Sequence, residues 1–285
     1  MPSLIDIRRR IRSVKSTQQI TRAMKLVSAA KLRRAQDRVL SARPYSAVLA
    51  RLLADVARAA KTDERLAHPL LAEREEKRIQ LILITADRGL AGAFNSNLIK
   101  AAQQFLEDHA AQRVEMETVG RKGRDFFRKR RASLSGEYVG MTEKVTHAHA
   151  ADIARGIMAR FAAEEIDAVY LLYNEFKSVM AQRLVIDRIL PAQLPPEGRV
   201  IEFIYEQPPA ELLEKLLPRY VEIAIYQALL ESGAAQQAAR MTAMDSATTN
   251  ASEMIDNLTL YMNRVRQASI TREIIEVVSG AAGVE

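Results

Sequence analysis

Few residues in this 285-residue chain are of a type and spacing that could do chemistry. Gly89-Leu90-Ala91-Gly92 follows an apolar run, and a glycine loop there could hold phosphate on its backbone N–H groups. It has neither GxxxxGKS/T nor GxGxxG spacing, so a tight strand-to-helix turn accounts for it better than a nucleotide site does. Gly120-Arg121-Lys122-Gly123 is equally short and reads the same way. The histidines are His68, His109, His147 and His149. His147-Ala148-His149 sets two imidazoles on one side of an extended segment, but only Asp152 is near enough to add a ligand, short of the four that zinc takes. Solvated loop histidines are the simpler reading. Cysteine is absent, which excludes disulfides, thiolate metal sites, thiol nucleophiles and thiol switching. No triad or carboxylate pair stands out among the serines and acids. No catalytic residue, cofactor or metal is expected.

The remaining chemistry is charge. Arg128-Lys129-Arg130-Arg131 follows Phe126-Phe127 and reads as a solvated helix end rather than a nucleic-acid patch. The net charge of +7 conceals an uneven distribution. Residues 1–60 carry 14 Lys and Arg against 3 Asp and Glu, residues 61–206 carry 22 of each, and residues 207–285 carry 6 against 10. Ends of opposite sign fit two segments that pair with each other. A basic helix could instead lie along phosphates, and steeply salt-dependent DNA binding would reveal it. Pairing with the acidic end, or enclosure by an acidic protein collar, explains the charge without nucleic acid.

The elements that would position these groups are mostly helical. Apolar residues make up 48% and charged residues 27%, a globular composition, while aromatics at 5% and only 11 Gly and 9 Pro favour long thin elements. No apolar run approaches the roughly 18 to 20 residues of a membrane span, and the arginine-rich start lacks the apolar region of a secretory signal. Ser3 can cap a helix with Asp6 in its first turn. Its stripe is Leu4, Ile7, Ile11 and Val14, resuming on a shifted face with Ile20, Met24 and Val27. A second helical stretch is expected beyond Arg43-Pro44-Tyr45. Near the C-terminus, spacing alternates three and four residues from Leu213 through Leu216, Tyr220, Ile223, Gln227 and Leu230. It goes on through Ala234, Gln237, Met241, Met244, Thr248, Ala251, Ile255, Leu258, Met262 and Val265. This predicts one helix from about Pro208 to Ser279 whose seam of small and polar residues packs weakly. Between the ends, strands at 78–86, 114–119, 168–173, 182–190 and 201–205 alternate with helices, the pattern of a mainly parallel sheet.

Several of these segments together resemble the gamma subunits of F-type ATP synthases of the bacterial type. They are IRRRIRSVKSTQQITRAMKLVSAAKLRRAQ, then ITADRGLAGAFN from Ile84 to Asn95, then ARMTAMDSATTNASEMI and RQASITREIIEVVSGAA from Arg266 to Ala282. They lie at both ends and the centre, so the resemblance covers essentially the whole chain. The middle motif has Leu-Ala-Gly-Ala where many relatives have a cysteine and a further glycine, which touches no mechanical role.

The resemblance implies an α/β fold with long helices. An antiparallel coiled coil of the N- and C-terminal helices would join a Rossmann-like α/β domain with a mainly parallel sheet. The divisions would be residues 1–60, 75–206 and 208–285. It implies a non-catalytic central-stalk rotor, which couples ring rotation driven by ion flow to successive conformational changes in three catalytic beta subunits. The implied partners are the hexamer of alternating alpha and beta subunits, the epsilon subunit and the c-ring, with no nucleic acid. The implied location is the cytoplasmic face of the bacterial inner membrane, reached only through the membrane sector. By position, Met24 and Lys25 would meet the beta lever region, and Arg240, Arg266, Gln267, Thr271 and Glu273 the beta collar. Tyr205 and Glu206 would meet the c-ring and epsilon, and Val277 to Val284 would turn in an apolar sleeve.

Overall fold

The computed structural model describes residues 3–60, 68–192 and 207–282. Two helices dominate them. Helix α1 (Leu4–Ala60) has 57 residues and α5 (Pro209–Ala282) has 74. The chain divides into two units, Met1–Ser28 with Met241–Glu285, and Ala29–Arg240. The larger unit thus includes the C-terminal half of α1 and the N-terminal stretch of α5, so the boundaries cut through both long helices instead of falling at their ends.

Within the larger unit lie β1 (Arg78–Ile84), α2 (Phe94–Asp108), β2 (Arg113–Val119), α3 (Arg121–Lys129), β3 (Leu134–Tyr138), α4 (His147–Ala162), β4 (Ala168–Phe176) and β5 (Gln182–Leu190). The sheet order is β3-β2-β1-β4-β5, parallel except for the β4–β5 pair. β1 is an apolar run because helices cover both of its faces, as parallel sheets require. On one face Ile82, Ile84, Val119, Val169 and Leu171 share a core with Ile153, Ile157 and Phe161 of α4, Leu53 and Val56 of α1, and Leu217, Val221 and Ile225 of α5. α2 and α3 contact strands of the same sheet, burying Phe94, Leu98, Phe105 and Phe127.

Four sequence expectations are corrected here. β3 is an additional strand: it is short, and Gly136 at its centre hides the strand pattern. That glycine is required because a Cβ there would lie 2.9 Å from the side chain of Glu117. His147 and His149 open α4 rather than lying on an extended segment, and two residues apart on a helix they do not share a face. Thr146 caps that helix, its Oγ1 accepting from the His149 N–H at 3.4 Å. α1 does not break at Pro44. Proline forgoes one helical hydrogen bond, but the adjacent Arg43 anchors the backbone. Its Nε donates to Glu231 Oε1 at 2.9 Å, and its Nη2 donates to Glu231 Oε2 at 3.0 Å and to the Phe176 carbonyl at 2.7 Å. Finally, the buried stripe of α5 at its start is Leu213, Leu217, Val221 and Ile225, not the three–four seam, because this stretch packs on a sheet and helices rather than on one helix. The expected strand at 201–205 lies outside the described residues.

Glu231 is 1% exposed and also accepts from the Phe176 N–H at 3.0 Å. Replacing Glu231 with Ala strands Arg43 and a buried backbone N–H, and the expected destabilisation is about 2–4 kcal/mol by urea unfolding. A loss below about 1 kcal/mol would show that water substitutes for the carboxylate.

Glu117 is a second buried acid, on β2, 6% exposed with Oε2 unpartnered. Burial pushes its pKa up to about 7, against a smaller opposing pull from Arg160. The folded protein therefore holds this proton more tightly than the unfolded chain does. The associated stability is complete below about pH 4.5 and is lost as pH rises through about 7. Glu117→Gln is expected to flatten this decline, gaining on the parent by about 2–3 kcal/mol between pH 5 and pH 8. Parallel pH profiles of parent and variant in chemical denaturation would exclude a neutral buried carboxyl.

Candidate functional site

The C-terminal ends of the parallel strands are where an α/β domain of this kind would hold a ligand. Here the chain's own groups fill that place. The Asp87 carboxylate accepts from the Arg121 N–H at 3.1 Å, the Gly140 N–H at 3.0 Å and the Thr142 hydroxyl at 2.6 Å. Burial raises the Asp87 pKa, but these hydrogen bonds outweigh it and hold the group below the ordinary carboxylate range. An internal anion thus occupies the N-terminus of α3 that a phosphate would need. Gly120 and Gly123 serve packing. Gly120 has φ 98°, a Cβ on it would come within 2.2 Å of the Thr85 carbonyl, and the Gly123 N–H donates to Thr85 Oγ1 at 2.9 Å. Asn95 of the same motif accepts from the Ala86 N–H at 2.9 Å through Oδ1. Within residues 84–95, one of the segments that carried the family resemblance, Thr85, Asp87 and Asn95 therefore serve the fold.

Three of the histidines likewise make contacts within the fold. His68 Nδ1 accepts from the Leu70 N–H at 3.1 Å, and burial lowers its pKa. His109 stacks on Phe105 with centroids 4.1 Å apart. His147 lies 3.7 Å from Glu222. No group of three or more potential metal ligands occurs among the described residues. Arg130 lies over the Phe126 ring at 3.7 Å, so the basic run at the end of α3 includes a cation–π contact.

Most of the expected contact residues belong to the smaller unit, an antiparallel pair of helices. Thr21 and Thr248 hydroxyls meet at 2.8 Å, and Lys25 Nζ donates to Asp245 Oδ1 at 2.5 Å. These two pairs fix the register, which carries Leu4 of α1 to about Val265 of α5. On α1 the residues turned inward are Leu4, Ile7, Ile11, Val14, Gln18, Thr21, Lys25 and Ser28, in unbroken three–four steps. The expected shift of face after Thr17 does not occur. The seam continues through polar residues, and Ile20, Leu26 and Val27 are exposed. On α5 Met244, Thr248, Ala251, Ile255, Leu258, Met262 and Val265 face inward, as their spacing implied. The inward residues of α1 beyond Thr17 were legible from the stepping alone. Their polarity concealed it.

Beyond Val265, α5 outruns the described start of α1, and residues 266–279 are exposed apart from the half-buried Ser269. Arg266, Gln267, Thr271 and Glu273 all lie in this stretch. Thr271 Oγ1 donates to the Gln267 carbonyl at 2.9 Å, and Ser269 Oγ donates to Glu273 at 3.3 Å. Ile270, Ile274, Ile275, Val277 and Val278 are exposed with them. Met24 is half-buried, and Lys25 is engaged by Asp245. Arg240 is separate: it belongs to the larger unit and is 7% exposed, with Nη2 lacking a hydrogen-bond partner. Burial lowers its pKa, with an opposing pull from Glu143. In this conformation it is not available to a collar. Tyr205, Glu206 and Val284 lie outside the described residues.

Residues 3–284 match the family model described as ATP synthase. Over the full length of both chains, this one is 63% identical to the ATP synthase gamma chain of Solibacter usitatus (strain Ellin6076). It is 53% identical to that of Pelotomaculum thermopropionicum, again over the full length of both. Among solved structures, one of the Euglena gracilis mitochondrial ATP synthase contains a chain with the same fold. Its TM-score is 0.69 at 18% identity, covering 99% of this chain and 94% of that one. A central-stalk and c-ring structure from Tetrahymena thermophila gives 0.64 at 23% identity, covering 80% of this chain and 99% of that one. With the family model matched almost end to end and curated relatives matched over their whole length, the chain belongs to the ATP synthase gamma-chain family.

Proposed function

We propose that the chain is the central-stalk rotor of an F-type ATP synthase, transmitting rotation to catalytic subunits without performing bond chemistry itself. The observation that carries this reading is the overhang of α5. A helix that leaves Ile270, Ile274, Ile275, Val277 and Val278 exposed next to Arg266, Arg272 and Glu273 is made to be surrounded by protein. Apolar groups without directional bonds let such a helix turn inside a sleeve. Polar groups such as Arg266 and Gln267 can form charge-assisted bonds that break and re-form at each step.

In this reading the sleeve and collar belong to a hexamer of alternating alpha and beta subunits. Rotation of an uneven surface changes the relative energies of conformations that the beta subunits already adopt. Met24 and the exposed Ile20, Leu26 and Val27 would face the beta lever region, with Lys25 exchanging Asp245 for a partner carboxylate as the shaft turns. Tyr205 and Glu206 would meet the epsilon subunit and the c-ring. No described helix is long and apolar enough to cross a membrane, so attachment at the cytoplasmic face would run through the ring.

Co-expression with alpha and beta subunits of the same organism is expected to yield a complex of three alpha, three beta and one copy of this chain, with ATPase activity that requires it. Failure to co-purify, together with tight salt-sensitive DNA binding by the chain alone, would overturn the reading. Within the complex, Arg266→Gln and Gln267→Leu are each expected to lower assembly or turnover by about threefold or more. Wild-type values for both would remove these residues from the contact set. Removing the residues after Val277 is expected to be milder than disturbing Met24 to Lys31, compared by rates of ATP turnover. The reverse order would move the critical contact to the tip.

A further inference from the structure

The rotor reading leaves a polar cavity of the larger unit without a role. Within the larger unit, α1, the loop before α4 and α5 enclose a cleft of 270 Å³. Lys31, Arg34 and Arg38 line it from α1 and Lys144 from the loop. Glu143 is the only carboxylate in the lining, and it is already engaged by Lys31 at 3.9 Å and by Arg88 at 3.3 Å. Arg34, Arg38 and Lys144 have no ion-pair partner among the described residues. Such an excess of cations selects an anion.

The cleft also contains Gln237, 6% exposed, whose Oε1 is buried and has no hydrogen-bond partner. A buried acceptor without a donor is unfavourable, so the cleft favours an occupant that brings a donor as well as negative charge. Sulfate and carboxylates at neutral pH have charge but no proton to give. A hydrogenphosphate group has both, and the cleft has room for one phosphate and a group attached to it.

We propose that this cleft binds a phosphate-bearing anion, its charged oxygens received by Lys31, Arg34, Arg38 and Lys144 and its P–OH donating to Gln237 Oε1. Bound there, the anion bridges α1 to the loop that leads into α4, a link the chain otherwise makes mainly through Lys31 and Glu143. Free phosphate and the terminal phosphate of a nucleotide share this chemistry.

The test is equilibrium dialysis of the full-length chain against labelled orthophosphate at pH 7 and constant ionic strength. One saturable site per chain is expected. Unlabelled orthophosphate and pyrophosphate should compete, with sulfate weaker by about tenfold or more. ADP competing better than orthophosphate would identify the nucleotide as the source, and the opposite order would identify free phosphate; either supports the site. Arg34→Gln with Arg38→Gln should weaken binding by about tenfold or more. Gln237→Leu should keep anion binding but reduce the preference for phosphate over sulfate. Lys129→Gln with Arg131→Gln, on the basic run at the end of α3, should change nothing. Absence of a saturable site, equal competition by sulfate, or equal loss in the Lys129/Arg131 variant would overturn the proposal. So would displacement by a hexaglutamate peptide at lower concentration than by phosphate, because that would make the cleft a dock for an acidic protein segment.

Discussion

A single buried carboxylate decides how the larger unit is built. Glu231 of α5 accepts from Arg43 of α1 and from the backbone at the end of β4, and Arg43 reaches on to the Phe176 carbonyl. The pair's hydrogen bond is the main cause that raises the Arg43 pKa. Three elements distant in sequence are thus held by charge-assisted bonds in a nearly dry setting, where such bonds are strong and leaving one unmade is costly. This fixation explains why α1 continues past Pro44, where local propensity alone would end it. It also sets which turn of α1 lies opposite the loop before α4, and hence where Lys31, Arg34 and Arg38 stand.

The smaller unit follows another rule. In its middle stretch the seam carries Thr21, Ser28, Thr248 and Ala251 at positions where a stable coiled coil would carry Leu or Ile. Small residues let the helices approach closely but bury little apolar area, so this pairing is weaker per turn than the core around Leu217 and Val221. Meanwhile Ile20, Leu26 and Val27 remain in solvent. A sequence that keeps apolar groups on the outside and hydroxyls on the inside is not optimised for the isolated pair. It fits a pair whose remaining stabilisation comes from surrounding subunits.

Much of this was legible in the sequence, for reasons that can be named. The apolar run at 78–86 reads as a buried strand, and β1 occupies Arg78–Ile84 of it. The extent of α5 followed from its stepping and its lack of proline after Pro218, and the register of its inner face was right from Leu230 onward. What failed were elements governed by distant partners. β3 was hidden by Gly136, whose necessity is a clash with Glu117 on the next strand. Arg240 carries a family motif that suggests an exposed contact, yet tertiary packing buries it. On α1 the inward face was misjudged because apolar residues were assumed to face inward, a rule that fails where a helix has a second, external partner. Regular spacing was the better guide, because backbone geometry sets it and hydropathy does not.

The α/β domain shows why fold did not predict activity. Its sheet order and the parallel crossovers between β1, β2 and β3 are those of a nucleotide-binding scaffold, although its glycine loops lack the phosphate-binding spacing. Asp87 changes what that scaffold can do. By placing its own carboxylate on the Arg121 and Gly140 amides, the chain supplies from within the anion that would otherwise come from a ligand. The same bonds, with Thr142, tie β1 to the loop beyond β3 and close the crest of the sheet. A domain closed this way gains rigidity where an enzyme would need an opening. Rigidity is what a body that transmits torque between a membrane ring and a shaft requires, because any compliance in it would store the strain instead of passing it on. In the proposed role the working surface would lie off the strand ends and on the helices, where only shape, charge and exposed apolar groups are needed.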